Sequence, residues 1–418
     1  MDVVANPLVL SLENEPIKVK IGIIKEGKVP IDKRTPFTPK QAAEIQRRFP
    51  EINVSVQSSP IRCFTDSEYL AEGIEVKDSV SDCDVLMGVK EVPLNELIPD
   101  KSYFFFSHTI KKQAYNKNLL QQVLEKNIRL IDYETLTDQD GNRVVAFGRW
   151  AGIVGAYNGL WTYGKRYGLY DLRRAKDCFD LEDLKTEFSK ITLPPIKIVI
   201  TGGGRVAKGA MEVLDAVGIS KVAPKAFLLQ TFDQPVYTQL EPGDYNQHVE
   251  GKSFQLKHFF QHPEEYKGTF HHFTRNADQL IASAYWDPKA PVLFTMQESQ
   301  SKDFKIKVIA DITCDIEGSI PSTKKASTID DPIYDYNPKT GQIENALSDP
   351  SNITVMAVDN LPCELPRDAS NSFGNELLTN VLPSLINDDQ GVIKRATITR
   401  DGKLTNKYLY LTDFVNGK

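Results

Sequence analysis

"PIKIVITGGGRVAKGAMEVLDAVGI", residues 195–219, joins an apolar strand to a helix through three consecutive glycines. Ile196, Ile198 and Ile200 alternate as on a buried strand. Val206, Ala210, Val213 and Val217 recur along one helix face, and Gly218 is placed to cap it. The run Gly202-x-Gly204-x-x-Ala207 fits the G-x-G-x-x-G/A fingerprint, in the strand-before and helix-after context that confirms it. Glycines there let a pyrophosphate rest against backbone N–H groups at a helix N-terminus, where the dipole favours an anion. Gly202, Gly203, Gly204, Arg205 and Val206 are the expected contacts. A merely tight structural turn is the plain alternative.

One part of the fingerprint is absent. An acidic residue about 20 positions on should meet the ribose of NAD. "SKVAPKAFLLQTF" (220–232) offers none, Asp233 comes late, and Lys221 and Lys225 are the nearby charges. The expectation is therefore a slight preference for NADP(H) over NAD(H).

Upstream, residues 17–136 alternate short apolar strands ("KVKIGII", "NVSVQ", "CDVLMGV", "KSYFFFSH", "IRLIDYE") with helical stretches ("PKQAAEIQRRF", "KKQAYNKNLLQQVLEKN"). That alternation predicts a second parallel α/β unit. "DQDGNR" (138–143) reads as a tight turn. "VVAFGRWAGIVGAYNGLWTYG" reads as a buried interdomain helix whose Gly152, Gly155 and Gly159 admit a neighbouring backbone. The charged segment 165–194 reads as a linker.

Composition narrows the function. With 418 residues, two domains are expected. A net charge of −6 argues against nucleic acid, which needs a concentrated basic surface. No apolar run reaches the ~20 residues of a membrane span, and "MDVVANPLVLSLENEP" lacks signal-peptide patterning. Cys63, Cys83, Cys178, Cys314 and Cys363 are dispersed without a C-x-x-C pair. That suits a reducing cytoplasm and signals no metal. Five of the six histidines, His248, His258, His262, His271 and His272, are spaced too irregularly for a metal-ligand pattern.

The chemistry points to the first half. Lys90 closes one predicted strand and His108 another, so both fall on the edge where ligands of parallel sheets gather. Arg34, in the basic strand-to-helix loop "KEGKVPIDKRTPFTP", suits a carboxylate. Lysine and histidine there could move protons if burial shifts their pKa values toward neutrality. Each also has a bland reading: a solvated strand-end lysine, a structural histidine, a solvated loop arginine.

That loop resembles the opening of the alanine dehydrogenase and saccharopine dehydrogenase superfamily. "KSYFFFSHTIKKQ", "RLIDYETLTDQDGNRVVAFGRWAGIVGAYNGL", "ADITCDIEGSI" and "VDNLPCELPRDAS" are similar to the lysine-ketoglutarate reductase domain of aminoadipic semialdehyde synthase. The resemblance runs from about residue 18 to residue 385 and does not extend to that enzyme's dehydrogenase partner domain. It implies condensation of L-lysine with 2-oxoglutarate and reduction of the imine to saccharopine, or the reverse. It makes Lys90 and His108 the acid–base pair and Arg34, Asp32, Glu91, Glu134 and Arg143 the substrate-side residues. It sets Asp359 near the nicotinamide. The implied fold is two Rossmann-like domains with parallel sheets around a central cleft. Residues 1–150 plus 360–418 would form the substrate and catalytic domain, and 151–359 the dinucleotide-binding domain. The implied partners are an amino acid and a 2-oxo acid, with no nucleic acid, membrane or metal; oligomeric state stays open. An NAD-linked lysine-forming saccharopine dehydrogenase, an alanine dehydrogenase-like enzyme and a non-catalytic binding module on the same fold remain open as well.

Overall fold

The computed structural model describes residues 19–417, so the N-terminal stretch examined for a signal peptide lies outside it. The described chain forms two compact α/β units. One comprises residues up to 145 together with those from 370 onward; the other is 146–369. The chain leaves the second unit inside the helix Pro366–Asn380.

The first unit is built on a six-stranded parallel sheet. Its strands are β1 (Val19–Ile23), β2 (Ile52–Gln57), β3 (Glu75–Lys77), β4 (Val85–Met87), β5 (Ser102–Phe105) and β6 (Arg129–Asp132). Their order, β3-β2-β1-β4-β5-β6, is the doubly wound order with its switch point between β1 and β4. Helices α1 (Pro39–Arg48), α2 (Asp66–Ala71) and α3 (Lys117–Glu125) connect the strands. Thr38 starts α1 through a capping box with Gln41, with Pro39 in the first turn. The C-terminal segment completes this unit's core: Ile398, Tyr408 and Leu411 pack with Leu120, Val123 and Leu130. The Ile398 N–H donates to the Leu130 carbonyl at 2.8 Å.

The second unit begins with α4 (Gly148–Tyr167), and α5 (Leu181–Lys185) follows. Segment 165–194 is not a linker: Leu172, Ala175, Cys178 and Leu184 are buried in this unit's core. Most of the charged residues that suggested a linker are exposed, while Arg174 and Glu187 are buried in ion pairs with Glu364 and Arg173. The eight-stranded sheet has β7 (Lys197–Thr201), β8 (Ser220–Lys221), β9 (Val236–Leu240), β12 (Gln279–Ala282), β13 (Val308–Asp311), β14 (Ile333–Asn337), β15 (Gln342–Glu344) and β16 (Ile353–Met356). A hairpin of β10 (Asn246–His248) and β11 (Tyr266–Gly268) stands apart. Strand order is β15-β14-β16-β13-β12-β7-β9-β8, parallel except for β14 and β15. Strands β12, β13 and β16 are buried at every position, as a sheet covered on both faces requires.

α4 lies wholly in this second unit, which corrects its reading as an interdomain helix; the backbone its glycines admit is that of α6 (Arg205–Val217). A Cβ on Gly152 would overlap the Val206 carbonyl, and one on Gly209 the Arg149 carbonyl. Gly155 and Gly159 instead make room for side chains, Ile312 and Gln279. The two helices interlock glycine against backbone, fixing where α6 starts. Over-packing such a contact costs typically ~1–3 kcal/mol. Gly209→Ala should therefore lower the thermal unfolding midpoint by several degrees, whereas Gly141→Ala, in an open turn, should cost only its backbone strain; calorimetry of both variants checks the contrast.

Candidate active site

The first unit gathers its functional side chains past the ends of β4, β5 and β6. β4 ends at Met87 and the chain continues through Val89 to Lys90 and Glu91. Phe106 N–H donates to the Val89 carbonyl at 3.0 Å, so the extensions of β4 and β5 stay paired as far as the site. His108 follows, with a left-handed backbone (φ 53°). That conformation is uncommon outside glycine and is a strain often found at functional positions.

Glu91 links this edge together. One carboxylate oxygen is 2.6 Å from His108 Nδ1, and the other accepts from Lys28 Nζ at 2.7 Å. Burial would raise the Glu91 pKa, but the hydrogen bonds from His108 and Lys28 outweigh it and hold it at about 2. The carboxylate is thus the acceptor and Nδ1 carries a proton, which leaves Nε2 as the ring nitrogen not engaged by Glu91. Lys90 is mostly buried. Burial first, and then the positive charges of Arg34 and Lys28, lower its pKa. The site thus holds an amine whose pKa is lowered and an imidazole oriented through Nδ1 by Glu91.

Arg34 and Asp32 lie in the loop after β1, both nearly inaccessible to solvent. Arg34 Nε and Nη2 donate to Asp32 Oδ1 and Oδ2 at 3.0 and 2.6 Å. Asp32 thus holds the Nε–Nη2 edge of the Arg34 guanidinium in place. A ligand carboxylate approaching that edge competes with Asp32. Glu134 stands just past β6, with Lys111 Nζ at 3.5 Å and Arg143 Nη1 at 4.0 Å from its Oε1. Its Oε2 is buried and lacks a hydrogen-bond partner. Asp132, beneath it, accepts from Ser107 and from the Glu134 backbone N–H.

The sequence reading passed over Glu26. Its carboxyl oxygens accept from the backbone N–H groups of Val89 at 2.6 Å and Lys90 at 2.9 Å. This holds the peptide that presents Lys90. The stretch "KEGKVPIDKRTPFTPKQ" holds five cations and two acids, Glu26 and Asp32, and it is burial that marks Glu26.

In the second unit, Gly202 leaves β7 with φ +93° and donates to the Leu240 carbonyl at 2.8 Å. A Cβ there would press on Ala284. Gly204 is the N-cap of α6, and a Cβ on it would meet nothing within 4 Å. Arg205 and Val206 open α6. Asp359 lies past β16, on the sheet edge where the glycine loop also lies, with β12 and β13 between. A cavity of about 330 Å³ opens beside this loop, lined in part by Thr201, Pro242, Tyr245, Ala284, Tyr285 and Trp286. His248, His258 and Glu265 do come together despite their irregular spacing. His248 Nδ1 accepts from the Glu250 N–H, however, so a neutral ring keeps its proton on Nε2, the atom that would have to ligate an ion. No helix among the described residues is long and apolar enough to cross a membrane.

Comparison with known proteins places this geometry in a family. Residues 22–154 match the alanine dehydrogenase/PNT N-terminal domain. The alpha-aminoadipic semialdehyde synthase of Arabidopsis thaliana is 30% identical over 442 residues, which cover 94% of this chain and 41% of that protein. The mitochondrial protein of the same name from Mus musculus is 31% identical, covering 91% of this chain and 46% of its own length. The chain thus spans under half the length of these relatives. The NAD(+)-linked, L-lysine-forming saccharopine dehydrogenase of Yarrowia lipolytica is 25% identical, covering 90% of this chain and 95% of that protein. Among solved structures, an L-alanine dehydrogenase superposes with a TM-score of 0.65 at 15% identity, covering 95% of this chain and 100% of its own. The transhydrogenase from Sinorhizobium meliloti gives 0.58 at 15%, covering 92% and 98%. These two share the fold. Residues 22–154 thus match an alanine dehydrogenase/PNT N-terminal domain, and nearly the whole chain is similar to aminoadipic semialdehyde synthases and saccharopine dehydrogenases.

Glu26 also has a measurable signature. Burial, then the negative charge of Asp32, raises its pKa from the ordinary 4.5 to about 8. Between those values the folded protein holds a proton that the unfolded chain releases. Stability contributed by this group therefore falls as pH rises through the window, by at most ~1.4 kcal/mol per pH unit. Glu26→Gln should flatten that part of the stability–pH curve; denaturant unfolding from pH 5 to 8 measures it, and parallel curves would disprove the assignment.

Proposed function

We propose that the protein is an amino acid dehydrogenase that interconverts saccharopine with L-lysine and 2-oxoglutarate, using a nicotinamide dinucleotide. The observation that carries this reading is the Lys28–Glu91–His108 chain of hydrogen bonds beside a buried, pKa-lowered Lys90. Such a pair suits imine chemistry, which needs one proton transfer at nitrogen and another at the carbinolamine oxygen. His108 takes or gives its proton at Nε2, since Glu91 fixes the tautomer. Lys90 serves as the second acid–base group, because its lowered pKa brings the neutral amine closer to working pH. The cationic surroundings, with Lys28, Lys111, Arg34 and Arg143, suit a substrate bearing several carboxylates. Glu134, with its unpartnered buried oxygen, faces the cationic end of an amino acid.

The second unit supplies the dinucleotide site. When bound, the nicotinamide would donate or accept the hydride. Gly202 to Val206 would hold its pyrophosphate at the start of α6, where open space above Gly204 leaves room for it. Asp359 is assigned to the nicotinamide side. Substrates are small molecules, with neither nucleic acid nor membrane as partner. The five dispersed cysteines, with no C-x-x-C pair, support a reducing compartment, the cytoplasm.

The deciding experiment follows reduced-nicotinamide absorbance with lysine and 2-oxoglutarate separately and together. Consumption only with both is expected. Turnover with pyruvate and ammonia would favour an alanine dehydrogenase-like enzyme, and none with any substrate pair would leave a binding module. Lys90→Met and His108→Gln should each lower kcat by ~10²- to 10⁴-fold with modest KM changes. A near-native rate in either removes that residue from the mechanism. Gly204→Val should keep the unfolding midpoint, since its Cβ meets nothing, yet weaken dinucleotide binding at least ~10-fold; unaltered binding would move the pyrophosphate elsewhere.

A further inference from the structure

Resting on the reading of the first unit as the site of acid–base chemistry, we propose that Asp132 is a positioning residue for that chemistry: it fixes the backbone that carries His108 and the backbone that carries Glu134, without itself meeting substrate. Asp132 is the last residue of β6 and pairs with Phe105, the last residue of β5. From that rung one chain leaves the sheet toward His108 and the other toward Glu134. The Asp132 side chain is wholly buried and reaches both. Oδ2 accepts from the Ser107 backbone N–H at 3.0 Å and from the Ser107 hydroxyl. With its own proton given to Asp132, Ser107 Oγ accepts from the Thr109 N–H at 3.3 Å and from Thr109 Oγ1 at 2.8 Å. Oδ1 accepts from the Glu134 N–H at 2.7 Å.

Ser107 and Thr109 flank His108 in the chain, and both are wholly buried. The left-handed backbone of His108 is therefore clamped on either side by one hydrogen-bond chain that ends on Asp132. A non-glycine residue keeps such a conformation only where its surroundings over-determine it. A turn cap alone would need less. The three-residue turn Tyr133–Thr135 takes only Oδ1. An asparagine caps a turn as well and, being uncharged, costs less to bury. Its amide nitrogen would then face a donor, either at Ser107 or at Glu134. The position demands two acceptors, and the fold keeps a carboxyl there although burial raises its pKa. Glu91 orients the His108 ring from its outer end, while Asp132 sets the backbone from which the ring hangs. Acid–base groups misplaced by about 1 Å can lose ~10²-fold in rate.

The test is steady-state kinetics of the purified full chain with lysine, 2-oxoglutarate and a reduced nicotinamide nucleotide, with circular dichroism to show which variants fold. Asp132→Asn should lower kcat by ~10- to 10²-fold and raise the KM for lysine, because both arms are disturbed. Ser107→Ala removes the hydroxyl arm and leaves the Glu134 arm. It should lower kcat by ~10-fold with the lysine KM unchanged. In a His108→Gln background Ser107→Ala should lower kcat no further, since a residue acting through His108 then has nothing to act through. A merely structural weakening would lower it by the same factor in both backgrounds. Where Asp132→Asn fails to fold, Ser107→Ala and its double-mutant cycle decide alone. A near-native kcat in either folded variant, a lysine KM unmoved in folded Asp132→Asn, or a loss repeated in full in the His108→Gln background overturns the proposal while the dehydrogenase reading stands. No turnover of lysine with 2-oxoglutarate by the native protein overturns that reading and this inference with it.

Discussion

The Glu91 carboxylate is the contact on which the candidate catalytic edge depends. It takes a hydrogen bond from a loop lysine on one side and from the His108 ring on the other. Three separate segments, the loop after β1 and the extensions of β4 and β5, are tied by one acid. Its pKa near 2 means that no ordinary pH change releases them. Neutralising Glu91 would do more than remove a charge. It would free the His108 tautomer and leave Lys28 without its partner, so histidine and lysine form one unit with the acid between them.

A second acid works underneath. Glu26 binds the peptide that carries Lys90, and Glu91 binds the His108 side chain. The two carboxyls sit in opposite electrostatic conditions. Glu26 is desolvated beside Asp32 and keeps its proton to about pH 8, whereas Glu91 accepts hydrogen bonds from the His108 ring and Lys28 and loses it near 2. Groups pushed apart in this way divide their tasks. The neutral acid serves backbone geometry. The ionised one sets the charge and tautomer of the groups that would meet substrate.

Much of the first unit was legible because it obeys local rules. Apolar runs ending at Met87, Phe105 and Asp132 sit at the expected strands, and Lys90 and His108 fall just past two of them. Thr38 and Pro39 announce α1. β3 and α2 escaped notice, being only three and six residues long, with polar faces. What spacing could not reveal was the buried acid Glu26, whose partners are backbone N–H groups more than 60 residues away, and a long-range pair of this kind leaves no periodic trace.

The second unit was legible at β7 and α6 and largely opaque for 90 residues beyond them. The reason is topological. A spacing rule for the ribose acid assumes that the next strand in the chain is the next strand in the sheet. Here a two-residue edge strand intervenes, and β9 takes the inner place. Sequence distance then loses its meaning while spatial position keeps it, since the backbone hydrogen bond from Gly202 to Leu240 fixes which residue emerges beside the glycine loop. The glycines of the triplet differ in what they do: Gly202 is required by a positive φ, Gly204 lies under open space, and Gly203 meets only the tip of the exposed Glu241 side chain, which can move aside.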